Sequence, residues 1–439
     1  MMDPSQLVIS RLGPCNFPSP LKLASPSSQH HEGSSFIHDD ARVLIDDAAT
    51  SGTFNAALSF ERAGPRERLF FDAAKTRVGV VTCGGLCPGL NNVVRAIVLE
   101  LFHLHGIREI LGFRFGFEGL VKELGETPIP LGPEEVRNLH TKGGSWLGLG
   151  RGRQDVGKMV DGLVEHFLDI LFVVGGDGSL RGAHAIAEEV QRRGLKIAVV
   201  AVPKSIDNDV AWIDKTFGFD SAIEIARQAI DAAHTEATGA RHGIGLVKLM
   251  GRDSGFIAAQ ATLASNDVNF CLVPEVPFSL DGERGLLASL ETRLRDRGHA
   301  VIVVAEGCAS QVIGAEGERD ASGNLRYASE GLDVGPRLRD KISSYFKERK
   351  VPHSLKYIDP SYMIRSVPAN ASDSVYCDLL GRYAVHAALS GRTDMVVGRW
   401  HGSFTHVPIA LATSHRKQVD PASELWLSVL QTTGQGPLL

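Results

Sequence analysis

Ile170-Leu171-Phe172-Val173-Val174-Gly175-Gly176-Asp177-Gly178-Ser179 is the stretch from which the fold can be read. Five consecutive apolar residues without polar alternation read as a strand buried on both faces. Glycines end the run, and a helical pattern follows through Glu189. The same texture recurs. Val78-Gly79-Val80-Val81-Thr82 leads into Gly84-Gly85 and a helical stretch over 91–104. The run 197–202 ends at Pro203, and further apolar runs cover 244–249, 269–273 and 300–305. Continuous apolar strands between helices predict an α/β fold with mainly parallel sheets flanked by helices. Ligands in such folds bind at the carboxyl ends of strands, where these glycine and aspartate motifs fall.

The chain has 439 residues, room for two or three domains, and 46 Lys and Arg against 51 Asp and Glu, a net charge of −5. That balance predicts neither nucleic acid nor membrane as a partner, so local groups must hold any phosphate. No apolar run reaches the roughly 18 residues of a membrane-spanning helix. Cys83 and Cys87 form a C-x3-C pair with no second pair at metal-ligand spacing, which reads as reduced thiols of a cytosolic protein. The amino terminus carries Asp3 and no basic-then-apolar signal, and the chain ends in Gly-Pro-Leu-Leu, so a cytoplasmic location is expected. Residues 1–75, rich in Ser, Pro, His and Asp, read as an extension over the body or partner subunits, mobile at its start. The polar stretch 310–330 reads as a surface excursion.

Three motifs carry chemistry. Gly84-Gly85-Leu86-Cys87-Pro88-Gly89-Leu90-Asn91 lets backbone approach an anion at a helix start, though such a turn can also be purely structural. It matches neither the dinucleotide fingerprint nor a Walker A loop. Gly175-Gly176-Asp177-Gly178-Ser179 suits a nucleotide–magnesium site, with amides for phosphate and a carboxylate for Mg²⁺; a capped tight turn is the plainer reading. Pro203-Lys204-Ser205-Ile206-Asp207-Asn208-Asp209 gathers two carboxylates, an amide, a hydroxyl and an ammonium, a set that is costly to leave unpaired. As a phosphoryl-transfer centre it would use one Asp to accept a hydroxyl proton. An unperturbed Asp, with a pKa of about 3.9, would be ionised at neutral pH. Met250-Gly251-Arg252-Asp253-Ser254-Gly255, Glu306-Gly307 and Tyr362-Met363-Ile364-Arg365 add groups suited to a sugar phosphate.

Taken in order, these segments resemble the 6-phosphofructokinase family, from about Gly79 to Cys377, and within it the longer subgroup of plants, trypanosomatids and some bacteria. The resemblance implies two Rossmann-like lobes with the active site in the cleft between them: residues 76–215 for ATP, joined by part of 367–439, and 216–366 for the sugar phosphate. It implies that Gly85, Arg151, Gly152, Gly176, Asp177, Gly178 and Ser179 hold ATP, with Asp177 on Mg²⁺. Asp207 would be the base toward the 1-hydroxyl of fructose 6-phosphate, assisted by Ser205, Asp209, Lys204 and Arg252. Ser205, Ile206, Asp207, Met250, Gly251, Arg252, Glu306, Lys356, Tyr362, Met363, Ile364 and Arg365 would contact the sugar phosphate. A cytoplasmic, allosteric enzyme of glycolysis is implied, assembled as a homotetramer or dimer. Tyr362 stands where many short bacterial relatives carry histidine, and Gly243 where they bring an arginine from a neighbouring subunit.

Family members use either ATP or pyrophosphate. Pyrophosphate-dependent members typically carry Asp at the position of Gly178 and Lys at that of Lys204. A carboxylate there, roughly 4 Å from the α-phosphate at an effective dielectric near 20, would repel it by about 4 kcal/mol, around a thousandfold in affinity. Gly178 therefore favours ATP. Lys204 points toward pyrophosphate, but the longer subgroup combines this lysine with that glycine and uses ATP. A pyrophosphate-dependent phosphotransferase is the nearest alternative. A silent regulatory subunit would be expected to lose Asp177, Asp207 or Arg252, all present here, and lipid or NAD kinases lack the 203–209 and 362–365 segments.

Overall fold

The computed structural model describes residues 3–24, 35–46, 55–150, 152–313, 318–319, 325–326 and 333–439. Its two main sheets are built from Arg42–Leu44 (β1), Ser59–Arg62 (β2), Arg77–Thr82 (β3), Glu109–Phe113 (β4), Ile129–Pro130 (β5), Ile170–Gly175 (β6), Ala198–Pro203 (β7), Gly243–Leu249 (β8), Phe270–Leu272 (β9), His299–Ala305 (β10), Ser354–Ile358 (β11), Met395–Trp400 (β12) and Ser403–Pro408 (β13). Among the helices are Leu90–Leu99 (α1), Val156–Glu165 (α2), Asp177–Arg192 (α3), Phe219–Thr238 (α4), Phe256–Ser265 (α5), Val334–Glu348 (α6), Ser361–Ser366 (α7) and Ala371–Leu389 (α8). No helix among the described residues is long and apolar enough to cross a membrane. Most of the stretch 310–330 lies outside the described residues.

Two units emerge. The first comprises Met1–Ser205, Val210–Gly218 and Val367–His415, and carries a nine-stranded sheet in the order β1-β2-β13-β12-β7-β6-β3-β4-β5. The five middle strands, β12 to β4, run parallel, and antiparallel strands extend both edges. Every residue of β6 and β7 is buried, because helices cover both faces of a parallel sheet. Register matters most at the carboxyl ends. Thr82 pairs with Val174, and Gly175 with Pro203. Three neighbouring strands therefore stop at one level, and all three motifs leave from it.

The second unit comprises Ile206–Asp209, Phe219–Ser366 and Arg416–Leu439, around a parallel sheet in the order β9-β10-β8-β11. Glycine lets α4 lie close against β8: a Cβ on Gly243 would fall 2.0 Å from the Ala237 carbonyl oxygen. Leu249 pairs with Ala305, so Met250–Arg252 and Glu306 also leave their strands together.

The residues read as an extension supply β1 and β2, which makes that stretch part of the first unit's sheet rather than a covering arm. Phe60 is fully buried, with ring centroids 6.2 Å from Trp212 and 5.9 Å from Trp400. Beside it the buried Glu61 accepts hydrogen bonds from Arg66, Arg392 and Arg11 and contacts His406. Burial opposes its charge, yet His406 and Arg392 hold the carboxyl well below the usual range. Phe60→Ala is expected to lower stability by about 3–5 kcal/mol in denaturant unfolding; a change below about 1 kcal/mol would place residues 59–62 outside the core.

Candidate active site

In the first unit, the level strand ends bring the motifs side by side. Gly84 adopts the left-handed φ of 86°, and a Cβ there would lie 3.5 Å from Lys204 Nζ and 3.7 Å from Ser179 Oγ. Ammonium, hydroxyl and glycine loop thus converge, with Lys204 buried. Gly150 joins them, pairing with Cys83 and accepting the Gly84 amide at 3.3 Å. Gly152, at φ 104°, follows within two residues, while Arg151 lies outside the described residues. Helix α3 starts at Asp177 without a side-chain cap, the arrangement that leaves a helix start open to an anion. Gly85 is half-buried and Gly178 exposed.

Asp177 receives Arg181 on both carboxylate oxygens, at 3.2 and 3.3 Å, while Arg181 also donates to the Thr413 carbonyl at 2.6 Å. Its side chain is 21% exposed. A partly open carboxylate at a helix start, shared with Arg181, fits Mg²⁺, which takes one or two protein carboxylates and keeps waters and phosphate oxygens for the rest.

The 203–209 segment changes unit after Ser205, whose carbonyl accepts the Thr216 hydroxyl at 2.5 Å. Ile206 is buried, and Asn208 takes a left-handed φ of 55°. In the second unit, Asp207 Oδ1 is shut off from solvent, and the Asp207 carbonyl accepts the Ser254 hydroxyl at 3.3 Å. Burial, then the negative charges of Asp209 and Glu306, push the Asp207 carboxyl up to about 8, against the pull of Arg252 and Arg416. This corrects the expectation of an ordinary, fully ionised aspartate. Arg252 pairs with Glu306 at 3.4 Å. Burial also raises Glu306, opposed by Arg252 and Lys248. Gly251, at φ 123°, and Gly307 permit this approach, since a Cβ on Gly307 would sit 2.2 Å from the Arg252 carbonyl oxygen. Met250 is half-buried at the same strand end.

Ile364 is fully buried, and its side chain anchors α7. Lys356 lies mid-strand opposite Gly245, four residues short of the end of β8, or about 13 Å at 3.3 Å per residue. The register leaves it apart from Arg252 and Glu306. Tyr362 and Met363 are exposed, with the Arg365 guanidinium 4.7 Å from the Tyr362 ring centre.

Two residues were missed. Arg416 pairs with Asp209 at 3.3 Å and with Asp253; 207 residues separate it from Asp209, and no local motif marks it. Lys248 reaches Asp333 at 3.0 Å and Asp359 at 2.6 Å. It ties the N-cap of α6 to the turn that starts α7. A lysine inside an otherwise apolar strand was the available signal.

A family model described as phosphofructokinase matches residues 77–388. The chain is 45% identical to the ATP-dependent 6-phosphofructokinase of Amycolatopsis methanolica, over 98% of this chain and 95% of that one. It is 42% identical to the ATP-dependent 6-phosphofructokinase of Trypanosoma brucei brucei, over 97% and 87%. Among solved structures, a pyrophosphate-dependent phosphofructokinase from Marinobacter aquaeolei superposes with TM-score 0.66 at 22% identity, covering 82% of this chain and 92% of that one. Phosphofructokinase from Pichia pastoris in the T-state gives 0.62 at 24% identity, over 82% and 39%. These two likenesses bear on the fold alone. With the family model spanning most of its length and relatives matching nearly all of it, the chain belongs to the phosphofructokinase family.

Proposed function

We propose that this chain transfers the γ-phosphoryl group of ATP to the 1-hydroxyl of fructose 6-phosphate, giving fructose 1,6-bisphosphate and ADP. The observation that carries the reading is the shielded Asp207 carboxyl set among Asp209, Glu306, Arg252 and Arg416. It fits a base whose proton affinity is tuned toward neutral pH. Curated relatives named for ATP-dependent phosphofructokinase support the donor and substrate.

Asp207 takes the hydroxyl proton as O1 bonds to the γ-phosphorus, and the bond from phosphorus to the ADP oxygen breaks. Lys204 and Ser205 steady the moving phosphoryl group, and Asp209, bound to Arg416, keeps that arginine oriented. Gly85, Arg151, Gly152 and the 176–179 turn hold the donor phosphates. Met250, Gly251, Arg252 and Glu306 hold the sugar phosphate, with Tyr362, Met363 and Arg365 at its rim. Mg²⁺, held by Asp177 and phosphate oxygens, would neutralise charge spreading over the transferred group. None of the six cysteines forms a disulfide, and a cytoplasmic location is the proposed one. A homotetramer or dimer is the proposed assembly.

Donor choice is measured directly by assaying the purified protein with fructose 6-phosphate and either ATP or pyrophosphate. ATP is expected to give the higher kcat/KM, and Gly178→Asp to weaken ATP about a thousandfold. Faster turnover with pyrophosphate would reverse the donor assignment, and unchanged ATP affinity in the variant would refute the role given to Gly178.

The raised Asp207 carboxyl has a kinetic signature. A base must be ionised to act, so kcat/KM for the sugar phosphate should fall as pH drops through about 8. Removing the positive charge of Arg416, by Arg416→Met, should move that acid limb to still higher pH. The substrate phosphate titrates near pH 6 in both enzymes, so the shift belongs to the protein. An acid limb near pH 4 that Arg416→Met leaves in place would contradict the tuning of Asp207.

A further inference from the structure

Beyond the phosphate-side loops, the first unit holds a second cluster of chemically capable side chains: Glu100, His105 and His386. One donor atom from each lies within 4.8 Å of the others, and all three residues are buried. The Nε2 atoms of both histidines stand 3.7 Å from the same oxygen, Glu100 Oε1. That separation is too long for a hydrogen bond. Neither ring nitrogen of His105, a residue only 4% exposed, has a hydrogen-bond partner. Two imidazoles and a carboxylate packed together without hydrogen bonds between them make an expensive interior.

Local backbone geometry creates the cluster. In an α-helix, residues five apart point about 140° away from each other at 3.6 residues per turn. Here α1 widens into a π-helical turn over Glu100–Leu104, closed by the His105 amide on the Glu100 carbonyl at 3.3 Å. That wider turn swings His105 round to the side of Glu100, and such turns recur at functional sites. His386 arrives from the last turns of α8, which packs on α1. Gly381 makes the approach possible, since a Cβ there would sit 2.6 Å from Ala96 Cβ.

A metal binds imidazole in its neutral form and a carboxylate in its ionised form. Nearby cations are already answered, Arg382 by Asp378 at 2.9 Å and Arg66 by Glu61 and Asp39.

We propose that Glu100, His105 and His386 form a three-ligand site for a divalent transition-metal ion of the zinc class, with a fourth position left to water. Ligands about 2.1 Å from a tetrahedral ion lie about 3.4 Å apart, close to the 3.7 Å observed. Imidazole ligands favour zinc-class ions over magnesium, which keeps this site distinct from the one at Asp177. The site lies a helix length from the glycine loop, about 15 Å for the ten residues of α1. An ion there ties α1 to α8.

The test uses the full chain, stripped with a chelator, returned to buffer with excess Mg²⁺ and titrated with Co²⁺. One equivalent should produce the visible bands of a nitrogen–oxygen site with no thiolate charge-transfer band. Zn²⁺ should displace the Co²⁺ and raise Tm. Glu100→Gln and His105→Asn, each checked for folding by circular dichroism, should weaken Co²⁺ binding by at least about tenfold and lose the Tm rise. No band in the wild-type protein, a thiolate band, or equal binding by a folded variant would overturn the assignment. The wild-type titration decides even where a variant fails to fold.

Discussion

Parallel strands that stop at one level are the constraint on which the rest depends. Val174 sits opposite Thr82 and Gly175 opposite Pro203, so a glycine loop, a helix start and a lysine emerge beside one another. Slipping β7 by one residue would turn every buried side chain of that strand to the other face. Both faces of β6 and β7 are covered, so the slip would mismatch side-chain sizes against both layers of close packing. The register of β8 and β10 does the same for Arg252 and Glu306 in the second unit.

Charge then divides the labour. The first unit offers an ammonium, a hydroxyl and an uncapped helix start, all suited to the donor's phosphates. The second packs Asp207, Asp209 and Glu306 close enough to raise the Asp207 carboxyl, and brings Arg252 and Arg416 to moderate the rise. Such a carboxyl holds its proton more tightly than an ordinary aspartate, and added positive charge around it favours its ionised form. An ordinary surface aspartate would be ionised always and would hold the hydroxyl proton weakly.

Strands of the two parallel sheets were legible because burial on both faces writes itself as an unbroken apolar run, as in 170–174. Edges were not. β2 is four residues long and holds Glu61 and Arg62, so its polar letters hid a core strand whose charge is satisfied by Arg392, more than 300 residues away. The same distance rule explains the site. Residues at strand ends could be named from glycines and acids in sequence, whereas Arg416 becomes visible only when the carboxyl-terminal segment joins the second unit. The burial of Ile364 and the mid-strand level of Lys356 were not legible, because a motif fixes order along the chain but not which side chain faces the core, or at what level a strand places it.

Proton removal by Asp207 during transfer is the step on which the proposed chemistry turns. Rapid-quench single turnover of Asp207→Asn, with enzyme in excess over labelled ATP and saturating fructose 6-phosphate, isolates that step. If Asp207 is the base, ATP and sugar-phosphate binding stay within about threefold of wild type and the transfer rate falls by at least about a thousandfold. Transfer within about tenfold of the wild-type rate would contradict it.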